Sequence, residues 1–304
     1  MSPTIAIIAA GAMGSAVARK LTTAGCTVLT NLDGRSEATR RRALAAGMQD
    51  VPFAELPRRA GYFLSILPPS DAFQLALSYV AAFTVGGTTQ PAGNHPIYVD
   101  CNAVNPQTAK TIGELFAGSG VRFVDAAIIG GPPRDGYDPT FYAAADPSDI
   151  VALDAFERLA EHGLKISILR GDGAGVGDAS ALKMSYAGIS KGLTGLFATM
   201  ILSAHAASPA TSTALLNELH ASQPLLLERL TRSIPDMLPK AYRWVGEMRE
   251  ISEFVGGPMG DVHRGMASVY ERIERAVEED GEDKHILERF VKDAKDVQQA
   301  GPST

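Results

Sequence analysis

The residues of this chain most able to do chemistry are a lysine within an apolar helix, two glycines after a short strand, and an arginine beside a turn. Lys183 lies in residues 173–207, which open with glycines and then run through Ala, Leu, Met and Ile without a proline. Such a stretch is a helix of roughly 45 Å. An ammonium on it must find a carboxylate, snorkel to the surface, or work. If it works, burial lowers its pKa toward neutrality and makes it a general acid or base. At about 100° per residue, Lys183, Ala187, Ser190 and Thr194 share one stripe, with Tyr186 and Lys191 at its edges. Tyr186 is a second possible proton donor, or a packing residue.

Residues 4–9 (TIAIIA) form a buried strand followed at once by Gly11-Ala12-Met13-Gly14. A helix over residues 15–24 and a strand over 26–31 complete a βαβ unit. Its glycine turn has the spacing of a dinucleotide-binding loop, with Ala9 in place of the first glycine. Gly11 lets the backbone approach a pyrophosphate, Gly14 lets the helix pack closely on the strand, and the helix amino terminus supplies free N–H groups. The second strand ends at Asn31, beside the expected adenosine ribose. Asp33 there suits a ribose hydroxyl. Arg35 with Ser36 offers a planar fork and a hydroxyl to a 2′-phosphate, which favours NADP(H) over NAD(H). The alternative is a surface arginine beside a turn.

These groups need a frame. Strand and helix patterns alternate over residues 62–67 and 70–83, 97–101 and 106–117, 121–126, 140–145, 147–161 and 165–169. The pattern implies an α/β fold, a doubly wound, mostly parallel Rossmann-type sheet with helices on both faces. Ligands of such sheets bind beyond the carboxyl ends of the strands. Those ends carry Leu67-Pro68, Asp100-Cys101-Asn102, and Asp125 through Gly130-Gly131. From 207 onward the pattern is helical, over 215–230, 240–254, 262–279 and 284–298, with breaks at Pro235, Pro239, Gly256, Gly257 and Gly281. The expected organisation is a nucleotide-binding domain over 1–173, then a long inter-domain helix with an all-α domain over 174–304. The loop over 86–96 is given no role, and the tail from Ala300 is expected to be loose.

Composition excludes several classes of function. The 304 residues are 45% hydrophobic and 20% charged with a net charge of −6, ordinary for a globular protein. Apart from Arg40-Arg41-Arg42 no basic tract stands out, so nucleic acid is not an expected partner. Cys26 and Cys101 have no metal-like spacing, and no metal is expected. Unpaired thiols, the lack of a signal peptide, and an apolar run over 193–207 too short for a membrane span together point to a cytoplasmic protein with no membrane partner.

Four motifs, in order along residues 4–190, carry a resemblance. They are the strand with Gly11-Ala12-Met13-Gly14, Ser65-Ile66-Leu67-Pro68, Asp125 through Gly130-Gly131, and Gly177 through Lys183. Together they resemble the β-hydroxyacid dehydrogenase superfamily, which includes the imine reductases and the amino-terminal part of 6-phosphogluconate dehydrogenase. Residues from Tyr242 onward resemble a poorly characterised branch of phosphogluconate-dehydrogenase-like proteins. The resemblance implies that Lys183 is the catalytic lysine on the inter-domain helix. It also implies that Asn102 orients cofactor or substrate, that Gly130 and Gly131 hold substrate, and that the protein is a homodimer with sites shared between subunits. Trp244 and Met248, one turn apart, are candidates to line the substrate pocket or to pack the core.

Three positions depart from the family pattern. Ile129 stands where a serine commonly helps to hold a substrate carboxylate. Ala187 lies near the usual asparagine, and Ala179 replaces a glycine, as in some imine reductases. The expected function is therefore NADP-dependent hydride transfer to or from a small carbonyl or hydroxyl substrate. An imine reductase is the alternative, and a non-catalytic NADP(H) sensor is a third reading that an intact Lys183 disfavours.

Overall fold

The computed structural model describes residues 2–85 and 95–300. Most of the loop over 86–96 and the last four residues lie outside the described residues. The chain divides into two compact units, Met1–Lys183 and Met184–Thr304. The division falls inside a helix, later than the glycine-rich boundary expected at 173, because the first turns of that helix are fastened to the sheet.

The first unit runs β1 (Thr4–Ile8), α1 (Ala12–Thr23), β2 (Thr27–Thr30), α2 (Glu37–Ala45), β3 (Gln49–Asp50), α3 (Leu56–Arg59), β4 (Tyr62–Ser65) and α4 (Pro69–Val85). It continues with β5 (Ile97–Asp100), α5 (Pro106–Glu114), β6 (Arg122–Ile129), β7 (Thr140–Ala144), α6 (Ile150–Glu157), β8 (Lys165–Ile168) and the start of α7 (Asp178–Ala207). The eight strands lie in the order β3-β2-β1-β4-β5-β6-β7-β8. All pairs are parallel except β6 with β7. The doubly wound fold is the one expected, and its strand order reverses between β1 and β4, where such sheets bind ligands.

Both faces of the sheet are covered, so strands read as apolar on alternate and intervening positions alike. Ile5 and Ile7 of β1 pack with Val17, Ala18 and Leu21 of α1 on one face. Ala6 and Ile8 face Ala72, Ala76 and Tyr79 of α4 on the other. There Phe63 and Tyr98 stack at 5.2 Å between ring centres, and Tyr79 meets Phe63 edge-on at 4.7 Å.

Several boundaries differ from those expected. Residues 37–59, left unassigned by periodicity, contain α2, β3 and α3, all short or exposed and therefore weakly patterned. The 147–161 segment becomes α6 followed by a 3-10 helix, Arg158–His162, because Asp149 caps α6 through the Ala152 N–H. β6 extends three residues further than expected, to Ile129, by pairing with β7.

The second unit holds the rest of α7, then α8 (Pro209–Ser222), α9 (Pro224–Met237), α10 (Ala241–Val255), α11 (Gly257–Glu278) and α12 (Glu282–Ala300). The expected helix over 215–230 is in fact broken at Gln223, while Pro235 lies inside α9. Pro224 occupies a first-turn position where its missing N–H costs no hydrogen bond, so it starts a helix. Gly256 and Gly257, at φ of 68° and 54°, turn α10 into α11. A side chain at Gly260 would lie 2.5 Å from the Ser252 carbonyl oxygen, so α11 approaches α10 closely there.

α7 is longer than the apolar run over 193–207. At 30 residues with a mean hydropathy of 1.2 over its most apolar window, it is long and apolar enough to cross a bilayer. A core helix of a globular protein passes the same test, and Lys191 on it forms an ion pair with Glu247 of α10.

Candidate functional site

The β1–α1 turn is built to receive an anion. Gly11 is the N-cap of α1 and offers no side-chain cap, so first-turn N–H groups remain available. Nothing stands within 4 Å of where a Gly11 side chain would begin, leaving open space in front of the turn. Gly14 is different. A Cβ there would lie 2.0 Å from the Ala9 carbonyl oxygen, so only glycine allows this approach of helix to strand. Ala12 and Met13 occupy the first turn between them. An open cradle on an uncapped helix terminus fits a dinucleotide pyrophosphate.

At the end of β2, Gly34 at φ 69° turns the chain into α2. Asn31 donates its amide to Asp33 at 2.9 Å and to the Val51 carbonyl at 3.1 Å. The only carboxylate of this turn is thereby tied back. Ser36 caps α2, accepting from the Thr39 N–H at 3.4 Å, so its hydroxyl is partly committed. Arg35 is exposed, and among the described residues no carboxylate pairs with it. Two arginines noted only as part of a basic run reach back from α2 to the two turns. Arg40 donates to the Leu32 carbonyl at 2.6 Å, and Arg42 reaches back to the Ala10 carbonyl at 3.3 Å. Their role was hidden in sequence because α2 carries no apolar signal.

Across the switch point, Asn102 joins the ends of β4 and β5. Its carbonyl accepts from the Leu67 N–H at 2.7 Å, and its amide donates to Ser65 Oγ at 2.7 Å and to Asp100 Oδ1. The side chain is 2% exposed. Asn102 therefore holds the Leu67-Pro68 turn in place, and its donors are spent on the protein.

Two carboxylates that the motifs contained but left without a role emerge as central. Asp125 on β6 accepts from the Gly177 N–H at 2.9 Å, the Ser180 N–H at 3.2 Å and Ser180 Oγ at 2.7 Å. It thus clamps the start of α7 to the sheet and fixes where Lys183 stands. Asp100 is its register partner on β5. Burial, then the neighbouring Asp125 charge, pushes the Asp100 carboxyl up to about 7, against the hydrogen bonds of Asn102 and the charge of Lys183. Asp100 Oδ2 is buried without a hydrogen-bond partner among the described residues. Lys183 is half-buried, and its charge acts on both Asp100 and Cys101 at the end of β5.

β6 ends at Gly130, whose φ of 126° turns the chain away from the sheet. Gly131 is exposed and donates its N–H to the Tyr137 hydroxyl at 3.2 Å.

In the second unit Met248 is fully buried and serves as core. Trp244 meets Tyr270 edge-on at 5.2 Å, and the Lys191 ammonium lies 5.4 Å from its ring centre. Of the two, Met248 lies in the core, whereas Trp244 is partly buried. Tyr186 is 55% exposed.

A cavity lies at the opposite, amino-terminal end of the strands. It measures about 390 Å³ and is bordered by Thr4, Tyr62, Ile97 and Arg122; the chemistry described above is not there.

Comparison with known proteins agrees with this geometry. Residues 4–166 match the NAD binding domain of 6-phosphogluconate dehydrogenase, and residues 206–273 match a domain of unknown function (DUF1932). L-threonate dehydrogenase of Cupriavidus necator is 27% identical over 205 residues, which is 64% of this chain and 67% of that protein. Mycobacterium tuberculosis 3-hydroxyisobutyrate dehydrogenase with L-serine has a similar structure, with a TM-score of 0.67 at 17% identity, covering 95% of this chain and 99% of that one. A variant imine reductase from Myxococcus stipitatus in complex with NAD+ aligns with a TM-score of 0.53 at 21% identity, over 96% and 100% of the two chains.

Proposed function

The chain belongs to the family defined by the NAD binding domain of 6-phosphogluconate dehydrogenase, and we propose that it is an NADP-dependent oxidoreductase acting on a carbonyl or hydroxyl substrate with Lys183 as general acid and base. The observation that carries this reading is the Asp125 clamp, which holds the start of the Lys183 helix at the sheet that bears the open glycine turn. The nicotinamide cofactor supplies or accepts the hydride. First-turn N–H groups at Ala12, Met13 and Gly14 would hold its pyrophosphate, and Asn31, Arg35 and Ser36 would take the adenosine ribose. Leu67 and Pro68, positioned by Asn102, border the nicotinamide side. Lys183 donates a proton to the carbonyl oxygen during reduction and withdraws it during oxidation. Gly130 and Gly131 contribute the substrate side. L-Threonate and related small hydroxyacids are the first substrates to assay, with NADP+ reduction at 340 nm as the readout. Absence of turnover across such a panel, with NADPH bound, would remove hydroxyacid oxidation from the reading.

The preference for NADP(H) rests on Arg35. Arg35→Gln should weaken NADPH binding by roughly 1.5–3 kcal/mol, the scale of a charged hydrogen bond, and NADH by much less. Fluorescence titration of both cofactors measures this, and equal losses would refute the assignment. The imine reductase reading keeps the same cofactor site. Lys183 argues against it while Ile129 and Ala179 leave it open, and reduction of a cyclic imine in preference to carbonyls would establish it.

We also propose a homodimer. On α7, Tyr186, Ile189, Leu196 and Met200 are 47–69% exposed and lie within an arc of about 80°. A continuous apolar stripe of this kind is best covered by a second copy, whose helical unit would then help close the partner's site. The pair Ile189→Asp and Leu196→Asp should convert the dimer to monomer in light scattering at micromolar concentration. A wild-type monomer there would end the idea. Two free buried thiols, Cys26 and Cys101, fit a reducing, cytoplasmic setting.

A further inference from the structure

We infer that Arg134, in the hairpin beyond β6, is the residue that recognises the anionic group of the substrate. The inference rests on the oxidoreductase reading above and deepens it.

The loops that follow β4, β5 and β6, residues 66–68, 101–105 and 130–139, contain one cationic residue among them, Arg134. It sits in a small hairpin directly beyond the end of β6. Arg134 and Tyr137 exchange both backbone hydrogen bonds, at 3.0 and 2.9 Å, around a tight turn in which Gly136 takes φ 73°. The Arg134 guanidinium carbon lies 5.2 Å from the Tyr137 ring centre. The Tyr137 hydroxyl in turn accepts the Gly131 N–H at 3.2 Å. A side chain at Gly130 would come within 2.2 Å of that hydroxyl, so the glycine pair and the tyrosine are fitted to each other. The guanidinium is thus held over a ring that is itself anchored to the glycine turn.

Charge supplies the second half of the argument. Of the hairpin's two acids, Asp138 is engaged by Lys20, and Asp135 is exposed and forms no ion pair among the described residues. Among the described residues no carboxylate pairs with Arg134, which is exposed. Stacking on an aromatic face restricts a guanidinium without satisfying its five donors. An oriented planar fork with unspent donors matches a carboxylate in bidentate fashion. Ile129, the last residue of β6, brings no polar group of its own to the turn. An acid reaching this end of the sheet therefore meets Arg134 as its loop-borne cation.

The test compares acids with neutral counterparts of the same shape on the full chain saturated with NADPH or NADP+. The probes are L-threonate with L-threitol, and 3-hydroxyisobutyrate with 2-methyl-1,3-propanediol. Wild type should prefer at least one acid to its alcohol. Arg134→Gln should raise the KM or Kd for that acid at least tenfold and leave the alcohol within twofold. Arg134→Lys should recover part of the loss, as a point charge without the fork. Tyr137→Phe, which removes the acceptor for Gly131, should give a smaller loss in the same direction. Cofactor affinity and melting temperature should be unchanged in Arg134→Gln. Equal losses for acid and alcohol, or a wild type that favours the alcohols or binds none of the acids, would overturn the inference. If NADPH still binds and hydride transfer to any substrate persists, the oxidoreductase reading survives that outcome; if NADPH does not bind, it is that reading which fails.

Discussion

Replacing Lys183 with methionine should lower turnover by about 10²–10⁴-fold, the usual contribution of a positioned general acid. Methionine keeps the helical propensity and most of the volume while removing the donor. NADPH binding should survive, because the pyrophosphate cradle proposed for it, Gly11 and the first turn of α1, does not include Lys183. A lysine with only a structural role would behave differently. Its loss would lower the melting temperature and leave activity per folded molecule nearly intact. Turnover and melting temperature in one variant therefore separate the two readings. Near-normal turnover on the true substrate would end the catalytic assignment. It would also shift attention to an imine substrate that arrives protonated, or to Tyr186 if a second subunit encloses its exposed ring.

The second large effect concerns stability and pH. Asp100 is fully buried beside Asp125, and its carboxyl is raised from an ordinary carboxylate value to about 7. A group whose folded pKa lies above its unfolded value favours folding while it is protonated in the native state. That contribution is complete below the unfolded pKa near 4. It is lost progressively as pH rises from there to about 7, and is constant above. At about 1.4 kcal/mol per pKa unit the swing is on the order of 4 kcal/mol. Asp100→Asn removes the titration and retains an oxygen able to accept from Asn102. The variant should therefore gain stability relative to wild type as pH rises from 4 to 7, with the gap level above pH 7. Urea unfolding at a series of pH values measures this. A gap that stays flat between pH 4 and 7 would show that Asp100 does not titrate in that window. Burial raises the Asp125 carboxyl too, and the hydrogen bonds from Ser180 and Gly177, through which it holds α7, oppose that rise.

Periodicity alone was enough to place the doubly wound sheet, because strands buried on both faces are written as short continuous apolar runs. Gly11 and Gly14 could be separated by role from spacing, and the structure distinguishes them physically: open space before one, a carbonyl oxygen against the other. Lys183 stood out because a charge on an apolar helix is costly without a purpose. Elements with little apolar surface were illegible. α2 is one, and with it the reach of Arg40 to the β2 turn and of Arg42 to the β1–α1 turn. Nor could spacing distinguish Asn102 as a ligand from Asn102 as a strut. That depends on Ser65, Leu67 and Asp100 lying within reach of its amide, and only the pairing of β4 with β5 brings them there. The same holds for Met248, whose helical neighbours permit either a pocket or a core position until α10 and α11 pack. Asp100 and Asp125 are separated by 24 intervening residues in the chain yet are register partners in the sheet. Their coupling arises from strand pairing and burial. Sequence determined which groups this protein has available for chemistry, whereas tertiary structure alone decided which of them remain available, because a hydrogen bond made within the fold removes a donor that the composition still counts.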